Sequence, residues 1–317
     1  MLSRVADALY WMGRYVERSE HMTRLLLVTE DFSSETQGLA EDLAQTAWKD
    51  LLTILPSAQL TRPVSAFAPL SLPYLQAFFL DPGNAYSILF SMRKARENAR
   101  SVREALSIEV WLAINESYRA LETYERQAPT DMPGLRDALN ATHRGLFAIV
   151  GAMETTLTRD EGWLFLKLGS AMERAYRTAL ILRAKLVTLL APDAPADQPL
   201  AAAQWRSLLR CLSSLENYRR IRGARLEPAL IVPFLFFDPQ SPRSLHSATT
   251  AVEQCLEQIA AGGTLTPPAR LIGRLAADLR YEDGSLVRNG DWAALLDRVV
   301  DVTGRTHEAL AAQYFVT

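Results

Sequence analysis

The chain has 317 residues, of which 49% are hydrophobic, and this supplies enough apolar material for one large domain or two smaller ones. A net charge of −2 excludes a global basic field that would recruit nucleic acid or anionic lipid, so we expect neither as a partner. The two cysteines, Cys211 and Cys255, are too few for a disulfide framework or a zinc site and fit a reducing compartment.

The N-terminal segment is amphipathic and carries acids from Asp7 onward, so it lacks the uninterrupted apolar stretch of a signal peptide. No apolar run approaches the roughly 20 residues that are needed to span a bilayer. We therefore predict a cytoplasmic protein that does not enter a membrane.

Helical spacing of apolar residues predicts an all-α fold that begins with a helix over residues 2–30. A second helix is predicted over residues 39–55, and the proline-rich segment Pro56–Pro73 is interpreted as a loop or as short broken helices. Asp81-Pro82 is typical of an N-cap followed by a first-turn proline. We expect it to start one long helix, or two with a bend, that ends at about Arg126.

The second half of the chain continues the helical pattern after a break at Gln127–Gly134. Strand-like alternation is rare, and residues that favour helices dominate. Residues 191–200 are interpreted as a linker, and Glu227–Arg243, which contains four prolines, is interpreted as irregular. Helices are predicted over the remaining ranges, which are about 135–158, 161–190, 201–224, 244–261, 268–281 and 291–314.

Three blocks of residues recur in the same order about 157 residues apart. The matched positions are Gly13 and Gly169, Glu17 and Glu173, Arg18 and Arg174, Trp48 and Trp205, Asp81-Pro82 and Asp238-Pro239, and Ser87 and Ser244. Any two helices share Leu and Ala, but not these residues in register, so the period indicates an internal duplication. We predict a single domain over 1–317 whose two diverged copies form a helical bundle. Repeat 1 is about 1–157 and repeat 2 about 158–317, and the copies are expected to share a core across a pseudo-two-fold axis.

Charged side chains lie on or beside the predicted apolar faces. On the first helix, Glu17 and Arg24 flank the apolar stripe and Glu20 projects close to it. Farther along, arginines form a row beside the apolar face of residues 88–106. Charges in such places are unfavourable unless they are paired. The candidate polar network or anion-binding site comprises Glu17, Arg18, Glu20, Arg24, Arg93, Arg96, Glu97, Asn98, Arg100, Arg103, Glu173, Arg174, Arg177, Glu216, Asn217 and Arg219.

Two interpretations of this candidate network are open. The first is a structural set of Arg–Glu pairs that fixes the register of the helices. The second is a polar pocket at the pseudo-two-fold axis that holds a phosphate or carboxylate through forked arginine contacts. Glu17 and Glu173 could also form a carboxylate pair for acid–base work, although structural acids are commoner.

Recognisable catalytic patterns are missing from the sequence, which has no phosphate-binding loop, no dinucleotide fingerprint and no nucleophile elbow. Glu17 and His21 are four residues apart on one helical face and could share a metal. The Glu-x-x-His pairs of di-iron bundles do not occur, however. We therefore predict no metal site and no cofactor, and the question of enzymatic activity stays open, with a non-catalytic role favoured.

The segment LSRVADALYWMGRYVERSEHMTRLL, with Asp81-Pro82, RKARENARSVREAL and Leu215–Arg219, resembles the Alpha-E family over essentially the whole chain. This bacterial all-α family is named for a Glu-Arg motif, here Glu17-Arg18. The resemblance implies a role in peptide ligation or modification, beside a circularly permuted ATP-grasp protein and a transglutaminase-like protein, sometimes with a proteasome-like peptidase. The motif residues that it carries over are Glu17, Arg18, Arg96, Glu97, Asn98 and Arg100.

Three functions are compatible with these observations. The chain could be a non-catalytic partner of an ATP-grasp ligase that docks the ligase and binds an anionic peptide intermediate. It could instead be an enzyme of the same pathway that uses the Glu/Arg cluster, or a purely structural helical scaffold that could form a homo-oligomer. The missing catalytic apparatus favours the first function.

Overall fold

The computed structural model describes residues 1–36, 50–51, 53–54, 71–191, 198–261, 263, 265–282 and 290–315. Within those ranges the regular elements are helical and there is no strand, so the predicted all-α class is confirmed. The α-helices with described bounds are α1 (Ser3–Thr36), α2 (Leu72–Leu80), α3 (Ile88–Ser101), α4 (Ile108–Arg126), α5 (Met132–Thr156), α6 (Glu161–Leu189), α7 (Gln198–Cys211), α8 (Leu215–Arg222), α9 (Pro228–Phe237), α10 (Leu245–Ile259), α11 (Pro267–Tyr281) and α12 (Trp292–Leu310).

The chain divides into two compact units, Met1–Ser170 and Ala171–Thr317, so that α6 begins in the first unit and ends in the second. In the first unit, α1 packs on α2, α3 and α5, and α4 packs on α3 and α5. In the second unit, α10 packs between α9 and α11, α11 packs on α12, and α8 packs on α7 and α9. None of the helices in the described ranges is both long and apolar enough to cross a membrane.

Helix α1 is buried on several faces. Tyr10, Met12 and Leu25 are each exposed by 2% or less although they point in different directions around the helix. A helix that is covered all round lies in a core rather than on a surface. The charged residues in its middle turns are consequently removed from water and need partners inside the protein.

Helix α1 and the part of α6 that belongs to the first unit cross in close contact at two glycines. A Cβ atom on Gly13 would overlap the carbonyl oxygen of Leu166, and one on Gly169 would overlap the carbonyl oxygen of Tyr10. The hydroxyl of Ser170 donates to the carbonyl oxygen of Gly13 at 3.3 Å. The two helix backbones touch here, so any larger residue would push the helices apart.

The prediction that Asp81 caps a long helix is wrong. Asp81 instead ends α2, and its carboxylate accepts the backbone N–H of Gly83 at 2.8 Å. The N-cap of α3 is Ser87, which accepts the N–H of Phe90 at 3.0 Å and donates its hydroxyl proton to the Asp81 carbonyl at 2.6 Å. The turn between the two helices is therefore held by hydrogen bonds from both side chains to the backbone. An Asp-Pro pair in the sequence does not show whether it belongs to such a turn or to an N-cap.

The second unit contains the same turn. The Asp238 carboxylate accepts the N–H of Gln240 at 2.9 Å after α9 ends. Ser244 caps α10 by accepting the N–H of Ser247 at 3.0 Å, and its hydroxyl donates to the Asp238 carbonyl at 2.7 Å. Asp238 and Ser244 thus make the bonds that Asp81 and Ser87 make in the first unit.

Helix α9 corrects the prediction that Glu227–Arg243 is irregular. Pro228 occupies its first turn, where a missing N–H does no harm, and Pro233 is accommodated inside the helix. The helix is almost wholly apolar, so its sequence carries no amphipathic period from which a helix could be predicted. Its side chains fill the core, and the buried ones are Ile231, Val232, Phe234, Leu235 and Phe236.

The pattern that continues to Arg126 is two helices, α3 and α4, with a 3-10 turn at Arg103–Ala105 between them, in agreement with the predicted alternative of two helices with a bend. Other element boundaries differ from the predictions. The helix predicted over 201–224 is interrupted at Ser213, whose φ of 49° is left-handed. Residues 198–200 of the predicted linker are already helical. The helix predicted over 39–55 lies outside the described residues except at 50, 51, 53 and 54, which are helical.

Candidate functional site

The middle of α1 carries four buried polar side chains on one face, at successive helical spacings. Glu17, Glu20, His21 and Arg24 are each exposed by 4% or less. Residues three and four positions apart on a helix are neighbours, so the helical backbone alone brings these four groups together.

The geometry of this cluster joins acids to bases. The Nε2 atom of His21 lies 3.3 Å from Oε1 of Glu17, and Arg24 forms an ion pair with Oε1 of Glu20. One potential ligand atom from each of Glu17, Glu20 and His21 lies within 4.8 Å of the other two. Such a set of two carboxylates and an imidazole can exchange a proton or hold a cation.

A second histidine reaches the cluster from α5. The Nε2 atom of His143 lies 3.2 Å from Oε1 of Glu20, and the His143 ring packs against Phe147 at a tilt of 44° with centroids 4.6 Å apart. The His143 side chain is 22% exposed, so this is the side of the cluster nearest to solvent in the first unit. Sequence reasoning missed His143, because 123 residues separate it from Glu20 and no local spacing connects them.

The middle of α6 carries a simpler buried pair in the second unit. The Nε atom of Arg177 donates to Oε1 of Glu173 at 2.9 Å, and the two side chains are 5% and 0% exposed. This pair is a permanent charge–charge contact, since an arginine keeps its proton in proteins. It agrees with the structural interpretation of a buried Arg–Glu contact that fixes a helix.

The arginines of the two Glu-Arg pairs lie differently from the glutamates. Arg18 and Arg174 are half-buried, whereas Glu17 and Glu173 are buried. The guanidinium of Arg18 lies over the ring of Tyr15 at 5.1 Å from its centroid. A 100° step between consecutive residues explains why the acid turns into the core and the base turns toward the helix flank.

The arginine row of α3 packs partly against α4. Arg96 donates from Nε to Oδ1 of Asn115 at 2.7 Å and lies over the ring of Tyr118. Arg103 donates to the carbonyl of Leu106 at 3.2 Å and lies over the ring of Trp111. The remaining predicted residues of this segment lie toward the surface: Arg93 and Asn98 are half-buried, and Arg100 and Glu97 are exposed, with Glu97 bonded to Lys94.

The segment Leu215–Arg219 lies on the surface of the second unit as the start of α8. Glu216 is 80% exposed and pairs with Arg219 at 3.0 Å. Asn217 accepts a weak bond from Arg220 at 3.4 Å. Their exposure separates Glu216, Asn217 and Arg219 from the buried charges that the sequence grouped with them.

Helix α8 is anchored by one aromatic side chain. Tyr218 is fully buried, packs edge-to-face on Phe234 at 5.4 Å, and donates its hydroxyl proton to the carbonyl of Arg225. Burial raises the pKa of Tyr218. The anchored helix and the residues just after it present four exposed arginines, which we call the α8 basic face and which are Arg219, Arg220, Arg222 and Arg225. Three of them form ion pairs, Arg219 with Glu216, Arg222 with Asp238 and Arg225 with Glu227.

A cavity of about 300 Å³ lies in the first unit, where the N-terminal ends of α4 and α6 approach α1. Its lining includes Glu104, Ser107, Asp160 and Trp163, none of which the sequence singled out. Ser107 and Asp160 are committed to capping, since they accept the backbone N–H groups of Val110 and Trp163. The cavity therefore does not gather the predicted charged residues.

A sequence model of the Alpha-E family, described as a predicted α-helical domain with a conserved ER motif, matches residues 1–315. An uncharacterized protein of Mycobacterium bovis and one of Mycobacterium tuberculosis are each 29% identical over 294 residues, which is 87% of this chain. The chain spans about a third of the length of these curated relatives, 32% of each. No solved structure matches the chain.

Proposed function

The chain belongs to the Alpha-E family, and we propose that it is a non-catalytic partner of an ATP-grasp-type system for peptide ligation or modification. The observation that carries the proposal is the length of the mycobacterial relatives. The region that resembles this chain is only 32% of each, so in those proteins it is joined to about twice as much other polypeptide. Domains that are fused in one protein often occur elsewhere as separate chains that bind one another.

The identity of the partner rests on the family resemblance, which points to a circularly permuted ATP-grasp protein and, secondarily, to a transglutaminase-like protein. A non-catalytic role also agrees with the buried charges. Glu173 is bonded by Arg177 inside the second unit, and Glu20 is bonded by Arg24 inside the first. Buried pairs of this kind position helices rather than meet a substrate.

The α8 basic face supplies a surface to which an acidic segment can bind. Arg219, Arg220 and Arg225 are exposed, and α8 cannot easily tilt because Tyr218 is clamped in the core. Individual exposed ion pairs contribute only about 0–1 kcal/mol, but several of one sign accelerate and orient association. We propose that this face binds either an acidic surface of the ligase or an anionic peptide intermediate.

An enzyme of the same pathway is the second candidate, because Glu17, Glu20 and His21 combine two acids with an imidazole in one buried cluster. Loss of pathway turnover in a folded Glu17→Gln variant is the result that would favour it. Unchanged turnover would count against it.

A purely structural scaffold, which could form a homo-oligomer, is the third candidate. It predicts neither ligase binding nor any effect of the α8 basic face.

We also propose that the chain arose by internal duplication, with repeats of about 1–157 and 158–317 that share a core across a pseudo-two-fold axis. The equal hydrogen bonds of the Asp81–Ser87 and Asp238–Ser244 turns support this proposal. The helices that flank those turns also follow one another in the same order in each unit.

The two buried cysteines fit a reducing compartment, and we propose the cytoplasm as the location.

The test of the main proposal is co-expression with a circularly permuted ATP-grasp protein from the same organism, followed by size-exclusion chromatography. We expect the two chains to elute together, and the complex to weaken at least ten-fold in the Arg219→Glu/Arg220→Glu double variant. The matched control is Arg305→Glu, an exposed arginine of α12 that pairs with Asp301 on another part of the second unit. Two separate peaks at low and high salt alike would overturn the partner proposal.

A further inference from the structure

We infer that Glu17, Glu20 and His21 of α1, with His143 of α5, form a binding site for one divalent transition-metal ion of the zinc type. The inference is independent of the partner proposal, because it concerns the interior of the first unit. The sequence predicted no metal site, since it offered only Glu17 and His21 as a pair. The structure adds a second carboxylate and a second imidazole to that pair.

The first step is the placement of three donors on one helical face. Glu17, Glu20 and His21 have the spacing i, i+3 and i+4, so the helix holds them as neighbours without help from any loop. Their ligand atoms lie within 4.8 Å of one another, and all three side chains are buried. A rigid helix with buried donors is the kind of support that a metal site needs.

The second step is the spacing of the donor atoms. Ligands that lie about 2.0–2.2 Å from a zinc ion in a tetrahedron are roughly 3.3–3.6 Å apart. His21 Nε2 and Glu17 Oε1 are 3.3 Å apart, so one edge of the three-atom set has approximately the length of a tetrahedral edge. His143 Nε2 lies 3.2 Å from Glu20 Oε1 but not within 4.8 Å of all three donors, so it must move toward them to become the fourth ligand.

The third step is the chemistry of the donors. Two imidazoles and two carboxylates suit zinc, and also manganese or ferrous iron, better than they suit calcium or magnesium, which prefer oxygen alone. Glutamates that bind a metal are usually held by a further hydrogen bond, and Arg24 gives such a bond to Glu20. The two carboxylates offset the charge of the ion, and the guanidinium of Arg24 leaves one positive charge beside Glu20. Four protein ligands are typical of a structural metal site.

The middle of α6 supplies a matched comparison. Glu173 has the position in its Glu-Arg pair that Glu17 has in α1, but the residue four positions later is Arg177 instead of a histidine. Arginine offers only donor N–H groups and cannot bind a metal ion. Glu173→Gln is therefore a control that removes an equally buried acid without touching the inferred site.

The experiment measures metal binding by the full chain after a chelator has been used and removed. Equilibrium dialysis against zinc chloride is expected to load about one zinc ion per wild-type chain, with at least ten-fold weaker binding by Glu17→Gln and by His21→Gln. His143→Gln is the more conservative variant, because that side chain is partly exposed, and it should also weaken binding. Glu173→Gln should bind as the wild type does.

A thermal melt with and without zinc gives a second readout. An ion that binds only the folded chain raises its melting temperature, so zinc should stabilise the wild type and Glu173→Gln but not His21→Gln. The inference is overturned if the wild type binds no zinc, manganese or ferrous iron. It is equally overturned if the His143→Gln and His21→Gln variants bind zinc as tightly as the wild type. The ion would then be bound by other groups, on the surface of the chain.

Discussion

The middles of α1 and α6 contain the same Glu-Arg pair of residues but place a different side chain against the buried acid. In α6, Glu173 is bonded to the guanidinium of Arg177, which is charged at every accessible pH. In α1, Glu17 lies against the imidazole of His21, which can be neutral, protonated or metal-bound. A shared motif therefore fixes where the acid is buried, while the residue one helical turn later decides which chemistry is available to it.

The largest expected effect tests this difference directly. Arg177→Met removes the guanidinium that bonds the buried Glu173, and we expect it to lower the free energy of unfolding by about 3–5 kcal/mol. His21→Met removes an uncharged contact if the imidazole is neutral, and should lower it by about 1–2 kcal/mol. Urea unfolding of both variants at neutral pH measures the two values. Equal losses would mean that the two middles are electrostatically alike.

The crossing of α1 and α6 is the place where the two helices should behave alike. Gly13→Ala and Gly169→Ala each force a methyl group into a backbone carbonyl, and we expect each to destabilise the chain by about 1–3 kcal/mol. The control is Gly151→Ala in α5, which has open space around it and should stabilise by roughly 0.5–1 kcal/mol. Thermal unfolding compares the three, and tolerance of Ala at Gly13 alone would contradict the symmetry of this contact.

The two Asp–Ser turns give a smaller test of the same likeness. Ser87→Ala and Ser244→Ala each remove an N-cap and a bond to the preceding aspartate carbonyl, so we expect both to destabilise by about 1–2 kcal/mol. Ser101→Ala, at an exposed position, should cost less than about 0.5 kcal/mol. Chemical denaturation resolves these differences, and a clearly larger loss at one turn would count against the duplication.

Much of the fold could be predicted because most helices have one apolar face. Helices α1, α6, α10, α11 and α12 begin or end within a few residues of their predicted bounds, apart from the later end of α1. Helix α9 was missed because it is apolar all round and contains prolines, and the Asp81 turn was misassigned because an Asp-Pro pair also suits a helix end. In these places burial overrides the local pattern on which prediction depends.

The candidate site could be predicted only as far as one helix extends. Glu17, Glu20 and Arg24 lie three or four residues apart, and the α-helix fixes how such residues lie relative to one another. The approach of His143 depends on how α5 packs on α1, and the exposure of Glu216 depends on how Tyr218 seats α8. Both are tertiary outcomes, and no spacing along the chain encodes them.

The smallest expected effect concerns an exposed ion pair between α5 and α6, which contrasts with the buried Glu173–Arg177 pair of α6. Glu154, 36% exposed, bonds Lys167 of α6 and Arg159. Burial pushes the pKa of Glu154 upward, but these two cations outweigh it and hold the pKa below its usual value. The pair therefore contributes stability above about pH 4.3, and this is lost as pH falls through the lowered pKa.

Solvent screening limits the contribution of Glu154 to less than about 1 kcal/mol. The Glu154→Gln variant should therefore be slightly less stable than the wild type at pH 7, and the gap should close as the pH falls through the lowered pKa and the wild-type carboxyl becomes protonated. Urea unfolding over a series of pH values below 7 measures the gap. A gap as large as that of Arg177→Met would show that exposure does not separate the two pairs, and the contrast between buried and exposed charge would have to be abandoned.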